Sequence, residues 1–558
     1  MTEKLGKRGT RALRRPRPKA LLAISPAGGA AAPTTWPWVG SIAMVTGLGL
    51  AFLSQTVTVG ADTMWLVALG RTVLSEGQVP DGVPFLAADT SAWANVPVLG
   101  QVLMALIDRP GPGALLVAQL VAVVLALLGL VASSRRLGAS DFGISWALMA
   151  FLLGQLPSLG VVRAQMWSIP LFVLMAYLLR RESERPSRRI WLVAPLVVLW
   201  GNLHGAVLVG VAVAVAYLAL KRARQDPLLS VGVAAFALLG LWATPAGLAS
   251  HEYYLGVLGN EAALRGEGLW APLDLGSGFG WLMFLSTVVL LVASLRRGVP
   301  LWEYAVVAGL VFMTLQAARN GIWLALWLVP RASIRLRGSR ASHLRSVFPA
   351  ARLIKPVAGL ALVGIASAGL IQRAHVVQTD RAVARQLAGV IGSDRSTLAV
   401  SPMSELLAVE GVPLWAGNPI DALPRERQVA FLDFLSGRYD WTTQALTPPE
   451  VLVIRSGDAS PQGYRLVAVE AGYEVFRRNL SRPSPEAHAL GALLQPASTQ
   501  SSKSLPTATR RQVVVASALA SGSPDRTSTA CTPSVSSLCS QPAPAAQICP
   551  NISVALAE

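Results

Sequence analysis

Four polar groups interrupt the apolar stretches of this chain where chemistry could occur. Asp62 stands at the end of the first long apolar run, in Thr58-Val59-Gly60-Ala61-Asp62-Thr63-Met64-Trp65. A carboxylate at the lip of a membrane suits a base acting on a polar acceptor, or a ligand for a divalent metal. The simpler role is a helix N-cap. His204 lies in Trp200-Gly201-Asn202-Leu203-His204-Gly205, a polar turn inside the otherwise apolar stretch 190–220. Burying an unpaired amide or imidazole is costly, so Asn202 and His204 should meet water or a ligand, unless they only satisfy a hairpin turn. Arg163 with Gln165, and Arg319 with Asn320, occupy very short links between apolar segments. Arginine is the natural clamp for phosphate or pyrophosphate; snorkelling to lipid headgroups is the competing role.

The elements that must hold these groups follow from composition. The 558 residues are 53% hydrophobic and only 14% charged, with a mean hydropathy of +0.50, which excludes an ordinary soluble domain. Apolar runs of about 17–20 residues, the length that crosses about 30 Å of hydrocarbon as helix, recur between Trp36 and Gln372. They predict about eleven membrane helices, near 37–56, 113–133, 142–158, 165–180, 190–202, 203–220, 229–245, 278–295, 301–318, 320–330 and 355–372. The expected fold is an α-helical polytopic membrane protein with a small C-terminal α/β extracytoplasmic domain.

Charge sets the orientation. With the N-terminus inside, the inner loops hold about 27 Lys and Arg and the outer loops about five. The N-terminus is then cytoplasmic, and Asp62, His204, Arg163 and Arg319 all face outward. The net charge of +18 comes from these clusters, with no basic stripe interleaved with aromatics, so nucleic acid is not an expected partner. Residues 1–36 form a basic cytoplasmic arm, 37–372 the membrane domain with a long first outer loop at 57–112, 373–480 the outer α/β domain, and 481–558 a disordered Ser/Thr/Pro/Ala-rich tail. The Arg14-Arg15 pair reads as flanking charge rather than an export signal. Within the first loop, 63–75 and 96–107 suit helices lying in the membrane interface. In the outer domain, 396–400 and 451–454 read as strands, 425–435 as a helix, and 466–477 as a strand pair broken at Gly472. Cys531, Cys539 and Cys549 all lie in the tail and match no zinc spacing.

With these motifs in view, the chain resembles the GT-C class of bacterial membrane glycosyltransferases, akin to protein-mannosyltransferase and arabinosyltransferase-like enzymes. The match runs through Asp62-Thr63-Met64-Trp65, then Gly70-Arg71-Thr72-Val73-Leu74-Ser75-Glu76-Gly77-Gln78-Val79-Pro80, then Trp93-Ala94-Asn95. It continues at Trp200, Asn202, His204 and Gly205, and more loosely at Thr244-Pro245-Ala246-Gly247. The resemblance covers roughly 40–480. It implies a polyprenyl-phosphate-linked sugar donor, Asp62 as catalytic base or metal contact, and a substrate role for Trp93 and Asn95. Three positions depart from the family pattern. Gly60 replaces the first Asp of a pair, Leu66 replaces a His, and Val96-Pro97-Val98 replaces His-Glu-Trp.

The expected function is therefore transfer of a sugar from a lipid-linked donor to an acceptor at the outer face of the cytoplasmic (inner) membrane of a bacterial cell envelope. Arg163 and Arg319 would hold the lipid phosphate, and Gln165, Asn202, His204 and Asn320 would add substrate contacts. The divalent metal, if one is used, would meet Asp62. The alternative is a catalytically degenerate scaffold or sensor that keeps the fold. A transporter ranks below both, since no internal repeat appears and the polar groups gather at one face.

Overall fold

The computed structural model describes residues 36–295, 298–335, 351–438, 446–458 and 460–479. The basic arm at 1–35, the tail from 480 onward and its three cysteines lie outside the described residues.

The chain begins with α1 (Trp36–Thr56), β1 (Thr58–Val59), α2 (Ala61–Glu76), α3 (Val98–Asp108) and α4 (Pro112–Arg136). It continues through α5 (Asp141–Gly154), α6 (Leu156–Leu159), β2 (Val161–Val162) and α7 (Gln165–Glu184). Then come α8 (Val193–Leu203), α9 (Val207–Leu220), α10 (Pro227–Leu239), α11 (Ser250–Gly259), α12 (Glu261–Arg265) and α13 (Gly278–Ser294). The bundle closes with α14 (Leu301–Gln316), α15 (Gly321–Arg335) and α16 (Ala351–Ile391). The C-terminal unit comprises β3 (Thr397–Ala399), α17 (Met403–Val409), α18 (Arg425–Leu435), β4 (Val451–Arg455), β5 (Tyr464–Glu470) and β6 (Tyr473–Arg478).

Each apolar run marked in the sequence is largely helical. Among the described residues two helices are long and apolar enough to cross a membrane, Pro112–Arg136 and Val357–Ile391. A third candidate is a bent pair, Pro227–Trp242 with Gly247–Arg265, folded by 102°. The bend falls on Thr244-Pro245-Ala246-Gly247. There Pro245 cannot donate to a helix ladder, and Gly247 adopts a φ of 53°. On α4, Val117, Val121, Leu125 and Leu128 leave an apolar stripe uncovered, while the opposite face of the helix is core.

Two clusters hold the molecule together. One fills the helical bundle around Trp200, Trp302, Trp323 and Trp327. The other is shared by α2, α3 and the C-terminal unit, and includes Met64, Leu66, Leu69, Met104, Leu387, Leu407 and Phe431. This second core and α16 bear on two sequence expectations. Leu66 and Leu69 are buried against protein, so α2 rests under the C-terminal unit with its apolar face turned away from lipid. The boundary drawn at 372/373 falls inside α16, whose 41 residues span about 60 Å without a break.

The C-terminal sheet has the order β3-β4-β6-β5, with β3 and β4 parallel and the rest antiparallel. Ala471 (φ 46°) and Gly472 (φ 86°) make the tight turn between β5 and β6. The segment between α2 and α3 is stitched to this sheet through Leu414: its amide donates to the Phe85 carbonyl at 2.7 Å, and its carbonyl accepts from the Ala87 amide at 2.7 Å.

The most specific stretch of the family motif is architectural. At Gly70 a Cβ would stand 2.1 Å from the Gln101 carbonyl oxygen, so only glycine lets α2 approach α3 this closely. Arg71 donates to Asp108 at 2.9 Å. Gly77 closes α2 in the left-handed conformation, its amide bonded to the Val73 carbonyl.

Candidate functional site

A two-residue parallel ladder builds the site. Thr58 pairs with Val161 and Val59 with Val162, which lays the end of the first apolar run beside the link between α6 and α7. The Gly60 amide donates to the Val162 carbonyl at 3.1 Å, and Thr63 Oγ1 donates to the same oxygen at 2.6 Å. Asp62 and Arg163 therefore stand on adjacent strand exits, although 101 positions separate them in sequence.

Asp62 sits in the first turn of α2, where the helix dipole favours a carboxylate. It is not the N-cap; that position is Gly60, which makes no side-chain cap. Among the described residues its carboxylate accepts no hydrogen bond. Asp62 lies within electrostatic reach of Arg319, Tyr253, Asp421 and Glu405, and Arg319 within reach of Arg163 and His204. The Arg319 guanidinium stacks over the Trp270 ring at 3.8 Å, and its loop is pinned by the Ala318 amide donating to the Ala271 carbonyl at 3.0 Å. Stacking fixes the guanidinium plane, and among the described residues its edge N–H groups have no hydrogen-bond acceptor, an arrangement that suits a phosphate clamp.

His204 is held in one tautomer. The Ala206 amide donates to Nδ1 at 3.1 Å, so that nitrogen must carry a lone pair. Ser168 Oγ, which accepts from Trp200 Nε1 at 2.7 Å, has its hydroxyl 3.0 Å from the same Nδ1. The ring proton accordingly resides on Nε2, making His204 a neutral donor through that nitrogen. The neighbouring Gly205 gives Tyr253 its room: a Cβ there would come within 3.2 Å of the Tyr253 hydroxyl.

Tyr253 and Trp93 meet edge to face at 6.4 Å, and Trp93 also contacts Trp65 at 6.4 Å. Trp93 Nε1 donates to Asp421 Oδ2 at 2.8 Å. Between these groups opens a cavity of about 290 Å³. Glu405 lies deeper, accepting from Ser404 Oγ at 2.7 Å and Asn418 Nδ2 at 2.9 Å.

Three of the expected substrate contacts, Asn95, Asn202 and Asn320, hydrogen-bond to the frame. Asn95 exchanges two amide bonds with Gln101, at 3.0 and 2.6 Å, inside the core. Asn202 donates to the carbonyls of Val198 and Ala243, tying α8 to the bend before α11. Asn320 donates to the Met313 carbonyl at 3.0 Å. Gln165 opens α7, and its side chain makes no hydrogen bond among the described residues. The sequence alone does not single out Tyr253, Trp270, Asp421, Glu405 or Ser168. The Tyr253-Tyr254 pair just beyond the Pro-x-Gly bend is the one local signal. Asp421 and Glu405 reach the site from more than 300 residues downstream of Asp62.

The departures from the family pattern have structural reasons. A Cβ at Gly60 would lie 2.7 Å from Val161 Cγ1 and 3.1 Å from the Val162 carbonyl. Leu66 and Val96 are core residues. Gly60→Asp should therefore lower thermal stability and leave any transfer activity no higher; a stable, more active variant would contradict the packing described.

Burial pushes the Glu405 and Asp421 carboxyls above the usual carboxylate range. A raised folded-state value contributes stability that is fully present below the unfolded value, about 4.3 for Glu, and lost as pH rises through the folded value. Melting temperature should thus fall from mildly acidic to neutral pH, and Glu405→Gln should flatten that slope. An unchanged slope in the variant would assign the effect elsewhere.

No family model matches the sequence, and no curated protein matches it. Among solved structures, the chain is similar to ArnT from Cupriavidus metallidurans bound to undecaprenyl phosphate, with 13% identity over 80% of this chain and 98% of that one, and a TM-score of 0.46. It is similar to the apo state of the same protein at 14% identity over 79% and 96% of the two chains, with a TM-score of 0.45.

Proposed function

We propose that this chain is a multi-pass membrane glycosyltransferase that moves a sugar from a polyprenyl-phosphate-linked donor to an acceptor at the outer face of the cytoplasmic membrane. The observation that supports this reading is that Asp62, Arg163 and His204 lie within electrostatic reach of Arg319, at the ends of apolar helices.

The division of labour follows from the groups. Asp62 takes the proton from the acceptor hydroxyl as its oxygen attacks the anomeric carbon. The bond from that carbon to the phosphate oxygen breaks with inversion, and the lipid phosphate leaves. The guanidinium groups of Arg163 and Arg319 meet the negative charge that develops on the departing phosphate, and His204 offers its Nε2–H as a further donor. Asp62 is also the residue that would meet a divalent metal, were the reaction to use one.

The test is transfer by the purified protein in lipid nanodiscs, supplied with polyprenyl-phosphate sugars and assayed for release of free polyprenyl phosphate. Failure to bind or consume any lipid-linked sugar would sink the reading. A second reading, a scaffold or sensor that keeps the fold without catalysis, draws support from the packed, apolar environments of Gly60, Leu66 and Val96. Absence of donor binding favours it.

A further inference from the structure

The cavity lined by Trp93, Tyr253 and Asp421, two of which lie within electrostatic reach of Asp62, has a composition unlike the rest of the molecule. The chain carries a net charge of +18, yet none of the residues lining this space is Lys, Arg or His. Its walls offer the rings of Trp93 and Tyr253, set edge to face at 67°. The Asp421 carboxyl lies beside them, oriented by the Trp93 indole at 2.8 Å. Asp89 and Glu252 stand at its exposed edge. The cations of the site, Arg163 and Arg319, lie outside it, on the side of Asp62 and His204.

From this partition we infer that the cavity is the acceptor subsite and that it takes an uncharged sugar ring rather than a phosphorylated or otherwise anionic acceptor. The inference rests on the reading of the chain as a sugar transferase. A sugar ring presents apolar C–H faces, which pack on aromatic rings, and rim hydroxyls, which donate to carboxylates. About 290 Å³ is at the small end of ligand sites and matches one ring rather than an extended chain. An anion placed there would face three acidic side chains with no cation among the lining residues. At the arginines an anion meets two guanidinium groups against the single carboxylate of Asp62, so the two charge environments keep donor phosphate and acceptor ring apart.

The test is binding, measured without donor. Full-length protein in nanodiscs is titrated with methyl mannoside, methyl arabinoside and methyl glucoside, and with glucose 6-phosphate, by saturation-transfer NMR. At least one methyl glycoside should bind saturably, and glucose 6-phosphate about ten-fold more weakly or not at all. Trp93→Ala should weaken glycoside binding about ten-fold, as loss of an aromatic anchor does. Because Trp93 also contacts Trp65 and Asp421, a second variant guards against misfolding. A Cβ at Gly256 would meet only the Asp421 Cβ, at 3.9 Å, so Gly256→Leu fits and fills the cavity; it should also abolish glycoside binding. Binding of glucose 6-phosphate as tight as that of the glycosides, no glycoside binding at all, or binding indifferent to Gly256→Leu would overturn the assignment. Asp62→Asn protein should still bind glycosides. Glycoside binding without any donor consumption would overturn the transferase reading alone, and donor consumption without glycoside binding would overturn this subsite alone.

Discussion

Asp62→Asn should slow sugar transfer by about 10²–10⁴-fold, the range of a positioned general base, with donor binding unchanged within a factor of two. The substitution is nearly isosteric and removes only the capacity to accept a proton. The fold should survive it, because the α2 N-cap is Gly60 and no described residue hydrogen-bonds to the Asp62 carboxylate. At most the helix gives up the favourable dipole interaction, about 0.3–1 kcal/mol. Initial rates at saturating donor isolate the effect. A rate within two-fold of the parent would take Asp62 out of the mechanism. Arg319→Ala offers the contrasting signature, because its role is with the leaving phosphate: both donor affinity and turnover should fall.

Asp108→Ala should cost about 3–5 kcal/mol of stability, the scale for breaking a buried ion pair and stranding its partner. The Asp108 side chain is wholly buried at the end of α3. It binds Arg381 of α16 through contacts at 2.5 and 3.1 Å and Arg71 of α2 at 2.9 Å. Arg381 is itself buried, so the variant leaves a guanidinium without a counter-charge inside the core shared by the bundle and the C-terminal unit. Arg71 is half exposed, and Arg71→Ala should cost far less, since water screens that pair. Thermal unfolding in nanodiscs compares the two. Equal shifts would mean that the Arg381 contact does not dominate. The junction also sets the seat of α2 and hence of Asp62, so transfer should fall with stability in Asp108→Ala.

The triad of buried Arg180 and Glu303 with part-buried Arg331 obeys the same logic elsewhere in the bundle. Glu303 receives both guanidinium groups, and Arg180 also donates to the Trp327 carbonyl at 2.7 Å while lying over that indole at 4.2 Å. These charges secure α7, α14 and α15 and take no part in the site.

What the sequence determined by itself was what local pattern can determine. Apolar runs marked most helices of the bundle, though not α11 and α12, because a 3.6-residue period and run length are properties of adjacent residues. The strand pair broken at Gly472 and the helix at Arg425–Leu435 were legible for the same reason. Asp62, Arg163, His204 and Arg319 stood out because a polar group at the end of an apolar run is costly wherever the chain folds. Tertiary structure alone decided which of these groups meet. The two-residue ladder of β1 with β2 joins Asp62 to Arg163, and no local signal announces a pairing across 101 positions. It also sorted the asparagines, whose amides could equally serve a ligand or the frame until their carbonyl partners were in place. The aromatic cavity, with Asp421 and Glu405 arriving from the far end of the chain, exists only because the C-terminal unit packs its core onto α2 and α3.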